Sequence, residues 1–463
     1  MPLVIEKLID SVTASVSTTA RRSIAKGTER PRCKGGIVKR DAGLLPLSIR
    51  APTVSAAEAF GSALEQLLRV KGDPLVEIEP VLSEHPTFVM GHLLRAAVAV
   101  LAKDASALPS LAASLSAAGR AGNDLTAHER RHFAAACAWL SGEPELAAER
   151  YASIVRDVPR DLLALRLAQS CYFFVGQTAA LRDVADLAAP GWSRGMPGFE
   201  YALAMTAFGC AENGDTERAE RLGCRAVEIR PEFPFAIHAV AHALYERGDH
   251  TGGKLWMRKL EPQWVTDSRM VAHNAWHLAQ FELESGEPAC ALAALDQLLI
   301  PSASRAANSA ADATALLWRL QLDGVDPGSR WSALSDCWTT QSSPGFWPFL
   351  DLYAAIAFNA AGHFGRADRL ARAVAACARA DNLRARLSRT VTLPGLHVIE
   401  AFAVGAYANA CVALRMLRPA LRRVGASHAQ GSLFERMLIE AERHCRPLAR
   451  RAVIPVRRLS VSA

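Results

Sequence analysis

Four histidines stand at helical spacing in two neighbouring stretches, His238 and His242 in IHAVAHALYERGD and His273 and His277 in VAHNAWHLAQ. Residues four apart lie on one stripe of an α-helix, so each stretch presents a pair of imidazoles, and Glu246 continues the first stripe. Imidazoles titrate at about pH 6.5 and hold or pass protons. With Glu246 orienting a ring and Trp276 packing on an apolar substrate, His238, His242, His273, His277 and Glu246 read as a catalytic acid–base set. A metal ion is a second reading, since His at i and i+4 supplies half a site. Neither of these two pairs has the H-E-x-x-H form, with Ala239-Val240-Ala241 and Asn274-Ala275-Trp276 between the histidines, and no metal or other cofactor is expected. A third reading is structural: hydrogen-bonded histidines that knit neighbouring elements together, as buried polar groups must be.

The elements that position these residues are helices. Ala, Leu, Arg and Glu are abundant, apolar residues recur at three and four, and alternating β-branched runs are scarce, which predicts an all-α fold. Turn glycines at Gly142, Gly176, Gly214, Gly248 and Gly286 follow one another at intervals of 34, 38, 34 and 38 residues, and Gly362 closes the series. That period marks paired helices of the tetratricopeptide type, stacked into a superhelix because no pair buries its apolar face alone. The Gly214 unit fits best, with Ala219, Ala226 and Pro231 in the small-residue and helix-ending positions; Gly142, Ala147, Tyr151, Ile154 and Pro159 fill the same places. First helices are expected near 88–102, 128–141, 162–175, 200–213, 233–247, 269–285, 310–323 and 347–361. Segments 41–55 and 325–346, rich in Pro, Ser and Gly, read as ordered loops or excursions from the array.

First helices line the concave wall of such arrays. His238, His242 and Glu246 therefore face the groove, and His273, Asn274 and Trp276 join them from the next repeat. His132 holds the corresponding position of an earlier unit, and His92 lies near the same wall. Asp312 and Trp318, with Arg319, offer an anion contact and an aromatic wall, or ordinary helix packing. In GASHAQ, Ser427 reads as a helix cap beside a groove histidine, His428.

Composition and charge narrow the function classes. Half of the 463 residues are apolar and 21% are charged, enough for a large core. Residues 1–40 carry +6 and residues 446–463 carry +5, so the net charge of +7 leaves −4 on the intervening body. A polyanion groove through that body is disfavoured, and no nucleic acid is expected as a partner. The ten cysteines occur singly with no C-x-x-C pair, a pattern of thiols in a reducing compartment. No signal-peptide core and no apolar run of membrane-spanning length is present, which gives a cytoplasmic expectation with no membrane partner. There is no Walker or dinucleotide fingerprint.

Six separated strings carry a family likeness: DAGLLPLS (41–48), HPTFVMGH (85–92), IHAVAHALYERGD (237–249), WVTDSRMVAHNAWHLAQFELESGE (264–287), WRLQLDGVDPGSRW (318–331) and GASHAQGSLFERMLIEA (425–441). Over residues 40–445 the chain resembles the tetratricopeptide repeat protein 38 family, which implies a helical repeat architecture and supplies little about activity. It departs from the family pattern at Asp351-Leu352-Tyr353, where an Asp-x-His is usual, and at Gly431-Ser432 in place of Arg-Asp. The resemblance carries Asp351 and Tyr353 into the expected ligand-binding set.

The organisation expected is a basic, poorly ordered segment at 1–40, a repeat array at 41–375, a helical cap at 376–445 and a basic tail at 446–463. The function expected is binding of a small, partly apolar molecule in a His/Trp-lined concave pocket, with conversion by histidine acid–base chemistry as the reaction such a pocket offers. The alternative is a non-catalytic scaffold that holds a protein or peptide in the groove. His92, His132, Asn274, Trp276, Asp312, Trp318, Asp351, Tyr353 and His428 are the expected ligand contacts. A closed pocket favours the first reading and an open, continuous groove the second.

Overall fold

A computed structural model describes residues 37–38, 49–266 and 268–445. The tail at 446–463, the DAGLLPLS string and all of the basic segment except Ile37–Val38 lie outside the described residues. Ile37–Val38 pairs antiparallel with Ile49–Arg50, and among the described residues the remaining regular structure is helical.

The expected first helices are present at Val89–Ala102, Ala127–Leu140, Leu162–Phe174, Phe199–Ala211, Pro234–Glu246, Val271–Glu284, Ala307–Leu322 and Pro348–Ala360. Each is followed by an antiparallel partner. From Leu162 onward the first helices also stack on one another in series, building one continuous wall. The repeated punctuation explains the pairing. Gly142, Gly176, Gly214, Gly248, Gly286 and Gly362 all hold a left-handed φ between 70° and 82°, the conformation that ends a helix and that side chains with a Cβ resist. Asp215 and Asp249 then cap the following helices, their carboxylates accepting the N–H of Arg218 and Gly252. Ala147, Ala219 and Ala226 are fully buried, as their small-residue positions require.

Two helices change register next to a proline. Pro288–Ala294 and Ile300–Ala303 are joined through a π-helical turn at Leu295–Leu299, and Leu393–Ala403 is entered through another at Ser388–Thr392. Pro301 and Pro394 supply no N–H to the ladder, and widening it by one residue accommodates the missing bond.

Segment 325–346 corrects the loop reading. Arg330–Gln341 is a helix and the second member of its pair, because Trp331, Leu334 and Trp338 fall on one buried stripe that outweighs the surrounding Ser and Gly. Trp338 Nε1 donates to Thr314 Oγ1 at 3.0 Å and fastens the pair. Before the first expected repeat stands another pair, Val54–Arg69 and Pro74–Glu84, so helix begins within the 41–55 segment as well.

After residue 376 the chain forms Leu383–Leu387, Leu393–Ala403, Tyr407–Leu421 and His428–Cys445. The last of these turns back across the wall of first helices. Arg319 donates to the Ala429 carbonyl at 2.6 Å and to Ser432 Oγ at 2.9 Å, Tyr353 O–H to the Gln430 carbonyl at 2.9 Å, and Arg436 pairs with Glu284.

Close approach of the helices is enforced at Gly253, on the helix that follows the His238 helix. A Cβ there would stand 2.2 Å from the ring of Phe281, on the His273 helix. Gly253→Ala gains up to about 1 kcal/mol of helix propensity but overpacks a filled contact, at a cost of about 1–3 kcal/mol. The unfolding midpoint of Gly253→Ala is expected to fall in thermal or denaturant melts; a rise would contradict this packing.

Candidate metal centre and adjoining cavity

Pro234–Glu246 and Val271–Glu284 are consecutive first helices packed on each other, and their histidine stripes meet. His238 Nε2 lies 2.9 Å from His242 Nε2 and 3.0 Å from His273 Nε2. His277 closes the group, its ring centroid 4.5 Å from that of His242, 4.8 Å from His273 and 5.0 Å from His238. One ring nitrogen from each of the four lies within 4.8 Å of the others. His277 is completely buried and neither of its nitrogens has a hydrogen-bond partner; His238 Nδ1 is likewise unpartnered. Burial pushes His238 and His277 well below the ordinary imidazole value, and the neighbouring rings act in the same direction.

Carboxylates from the flanking repeats orient two of the rings. Glu212, at the end of Phe199–Ala211, brings Oε1 to 2.7 Å from His242 Nδ1 in a short, bent contact. Asp312, on Ala307–Leu322, brings Oδ2 to 2.7 Å from His273 Nδ1, and its Oδ1 accepts from Gln430 Nε2 at 2.9 Å. Glu212 is fully buried. Burial raises its carboxyl, but His242 together with the charge and backbone N–H of His428 more than offsets this and holds it below the usual range. Trp276 backs the group, its ring stacked on His273 at 5.4 Å.

His238, His242 and His273 form one wall of a cavity of about 290 Å³. Phe173, Phe208, Phe235, Trp347 and Phe349 supply apolar surface. Three cationic side chains face the imidazoles: Lys103, Arg166 and, at the exposed rim, Arg269. Lys103 Nζ sits 4.7 Å from the Phe173 centroid and 5.2 Å from that of Trp347, and Arg166 lies 5.0 Å from Phe235. Enclosure by protein pushes Lys103 down to about 7 and Arg166 down to about 10. Among the described residues no carboxylate forms an ion pair with any of the three. A larger hollow of about 510 Å³ lies beside Asp104, Phe346 and Asn382. Its cation, Arg384, is already engaged, donating to the Trp139 carbonyl and packed 4.3 Å from the Phe346 centroid, and no imidazole lines it.

The structure brings together His238, His242, His273, His277, Trp276 and Asp312, and disperses the remaining expected residues. Glu246 does not orient the cluster. It pairs with His428 at 3.3 Å, and Glu212 and Asp312 hold the rings instead. His428 itself points away from the cavity, its side chain half exposed. His132 contacts Asp161 at 2.8 Å, beside His128 at 3.2 Å; Asp161 also caps Leu162–Phe174, so this trio is a satisfied helix junction outside the cavity. His92 bonds the Pro86 carbonyl at 2.9 Å. Asn274 is buried against the Pro234 carbonyl, and Trp318 packs 6.0 Å from Phe402. Asp351 accepts the Gly345 N–H at 3.0 Å, with its carboxyl raised well above the usual range by burial. Tyr353 is spent on Gln430. None of these lines the cavity.

Sequence reasoning missed Glu212, Lys103, Arg166, Arg269 and Gln430. Only Glu212 carried a usable signal: an acid at a first-helix end, one repeat ahead of a histidine stripe.

No family model matches the sequence. A solved structure described as a Rap protein complexed with competence and sporulation factor is similar over 84% of this chain and 98% of that one, with 12% identity and a TM-score of 0.41. The helical repeat expected from the resemblance is present, while likeness to the tetratricopeptide repeat protein 38 family rests on the sequence strings alone. No helix among the described residues is long and apolar enough to cross a membrane. The nine described cysteines are free thiols.

His428 gives the docked terminal helix a pH dependence. The hydrogen bond to Glu246 comes first among the influences that raise its pKa to about 9; burial and Arg422 oppose, and Glu212 adds to the rise. A pKa raised above the unfolded value of about 6.5 contributes stability that is complete below that value and is lost as pH climbs through about 9. Hydrogen exchange in residues 428–445 is expected to lose protection between pH 7 and pH 9.5 beyond the intrinsic rate change. His428→Asn should flatten that loss, and an unchanged profile in the variant would contradict the assignment.

Proposed function

We propose that this helical-repeat protein binds a small, partly apolar molecule carrying an acidic group, in the cavity between the imidazole wall and Lys103, Arg166 and Arg269. The observation that carries this reading is two enclosed cationic side chains, Lys103 and Arg166, without described carboxylate partners around an aromatic hollow, with Arg269, which donates to the Gly72 carbonyl, at its exposed rim. Such groups are costly to enclose, and an anion repays part of that cost. The ligand's carboxylate or phosphate sits among the cations, its apolar part rests on Phe173, Phe208, Phe235 and Trp347, and its far end meets the imidazole wall. The volume, about 290 Å³, is at the lower end of small-molecule sites, roughly 300–1,000 Å³. A scaffold holding a peptide in the concave groove is less well supported, because the chain's own terminal helix lies across the inner wall at Asp312, Arg319 and Tyr353.

Thermal-shift screening of small organic acids and phosphate esters against matched amides and alcohols tests this. The acids are expected to stabilise the protein, and Arg166→Gln to weaken their binding at least tenfold. Preference for neutral or cationic compounds, or indifference to Arg166→Gln, would overturn the reading.

A second expectation concerns protons. With Lys103 at about 7 in the free cavity, an anion beside it favours the ammonium form, so binding at pH 8 takes up a proton and affinity declines as pH rises above about 7. Calorimetry in buffers of different ionisation enthalpy reads this uptake; proton release on binding would contradict it.

A further inference from the structure

We infer that His238, His242, His273 and His277 bind a divalent first-row transition-metal ion. The inference shares the cavity with the proposed function but does not depend on an organic ligand, and its test uses none.

The argument begins with proton bookkeeping. Asp312 is hydrogen-bonded to His273 Nδ1, and Glu212 stands 2.7 Å from His242 Nδ1 in a bent contact that is not a hydrogen bond; in neutral rings both carboxylates favour the proton on Nδ1, which leaves lone pairs on the two Nε2 atoms. Both lone pairs point at His238 Nε2, at 2.9 and 3.0 Å. A neutral His238 brings at most one proton to satisfy two acceptors, and none if its own proton is on Nδ1. Three converging nitrogens with at most one hydrogen among them repel one another unless a cation stands between them. His277 adds a fourth imidazole with both nitrogens buried and unpartnered, a state that buried polar groups ordinarily avoid.

Geometry and surroundings agree with an ion. Two nitrogens bound at roughly 2.0–2.1 Å to one metal are roughly 2.9–3.4 Å apart at tetrahedral or octahedral angles, which matches the two short separations. All four rings offer a nitrogen within 4.8 Å of the others, so small side-chain rotations suffice to complete the set. Metal-bound histidines characteristically give their second nitrogen to a carboxylate; here His273 does so to Asp312, and Glu212 stands 2.7 Å from the second nitrogen of His242. The charges of Glu212 and Asp312 balance a divalent ion. An all-imidazole donor set suits zinc, nickel, copper, cobalt or iron and disfavours magnesium and calcium, which prefer oxygen. Because His238, His242 and His273 line the cavity, an ion held there would lie against its interior, where an anionic ligand approaches.

The His128, His132 and Asp161 group is the competing cluster. Its carboxylate is already shared between both imidazoles and the Ala164 N–H, so it lacks the unpartnered nitrogens that distinguish the tetrahistidine group.

The full chain, purified without an affinity tag, is stripped with chelator and titrated with Zn²⁺ and Co²⁺. One ion per chain is expected, with the visible absorption of nitrogen-ligated cobalt. His242→Gln and His273→Gln should each weaken binding at least 100-fold. Asp312→Asn should weaken it about 10–100-fold through the outer contact alone. The exposed His397→Gln should leave it unchanged. Should the ligand variants fail to fold, the native chain loaded with Cu²⁺ still decides: electron paramagnetic resonance is expected to show coupling to at least three nitrogens. Failure of the native chain to take up Zn²⁺, Co²⁺ or Cu²⁺, coupling to fewer nitrogens, or uptake that follows His132→Gln instead of His242→Gln would overturn the inference. Organic acids binding to a chain that takes up no metal would defeat this inference and leave the proposed function standing; metal uptake without acid binding would do the reverse.

Discussion

The arrangement turns on two carboxylate–imidazole contacts made from outside the cluster, Glu212 to His242 and Asp312 to His273. Both carboxylates are buried, and a buried carboxylate without a partner is strongly destabilising. Asp312 is hydrogen-bonded to the His273 ring of the neighbouring repeat, and Glu212, which accepts the His428 N–H, stands against the His242 ring; both rings turn their Nε2 atoms toward a common point. The helical repeat makes this feasible: first helices stacked in series bring an acid, two imidazole pairs and a second acid onto four successive layers of one wall. The cluster is thus assembled by the period of the fold, and each layer contributes a single turn of helix.

The terminal helix completes the enclosure. Gln430 donates to Asp312, the His428 N–H donates to Glu212, and Arg319 reaches across to Ala429 and Ser432. The same two acids that orient the imidazoles therefore also anchor the segment that covers the groove. The cavity beside it has the imidazoles on one side and cations contributed by much earlier residues, Lys103 and Arg166, on the other. Charge is distributed asymmetrically around that space.

Much of this was legible from local pattern. The spacing of Gly142, Gly176, Gly214, Gly248, Gly286 and Gly362 reports the turn residues because a left-handed helix end has few substitutes for glycine. Boundaries of the first helices follow from it to within about three residues. The i, i+4 histidines were equally readable, since helical geometry alone puts them on one stripe. What remained hidden depends on contacts distant in sequence. Glu246 looked like the orienting acid because it continues the His242 stripe, yet a first helix ends there and its carboxylate turns to His428, 182 residues away. Glu212 lies one repeat earlier, and its position at a first-helix end ahead of the histidine stripe is a mark legible only once the repeat register is known. Arg330–Gln341 was obscured by its serines, although its tryptophans supply the stripe. His92 and His132 occupy wall-like positions but are consumed by Pro86 and Asp161, partners that periodicity does not reveal.

The most direct measurement is the protonation state of the individual histidine nitrogens, read by long-range nitrogen–proton correlation on chelator-treated protein labelled at histidine with ¹⁵N. Signals assigned through His242→Gln and His273→Gln are predicted to show, in the neutral form of both rings, the proton on Nδ1 and none on Nε2. Protons on Nε2 of His242 and His273, or rings averaging freely between tautomers, would mean that the two acids do not set their orientation, and the account would fail.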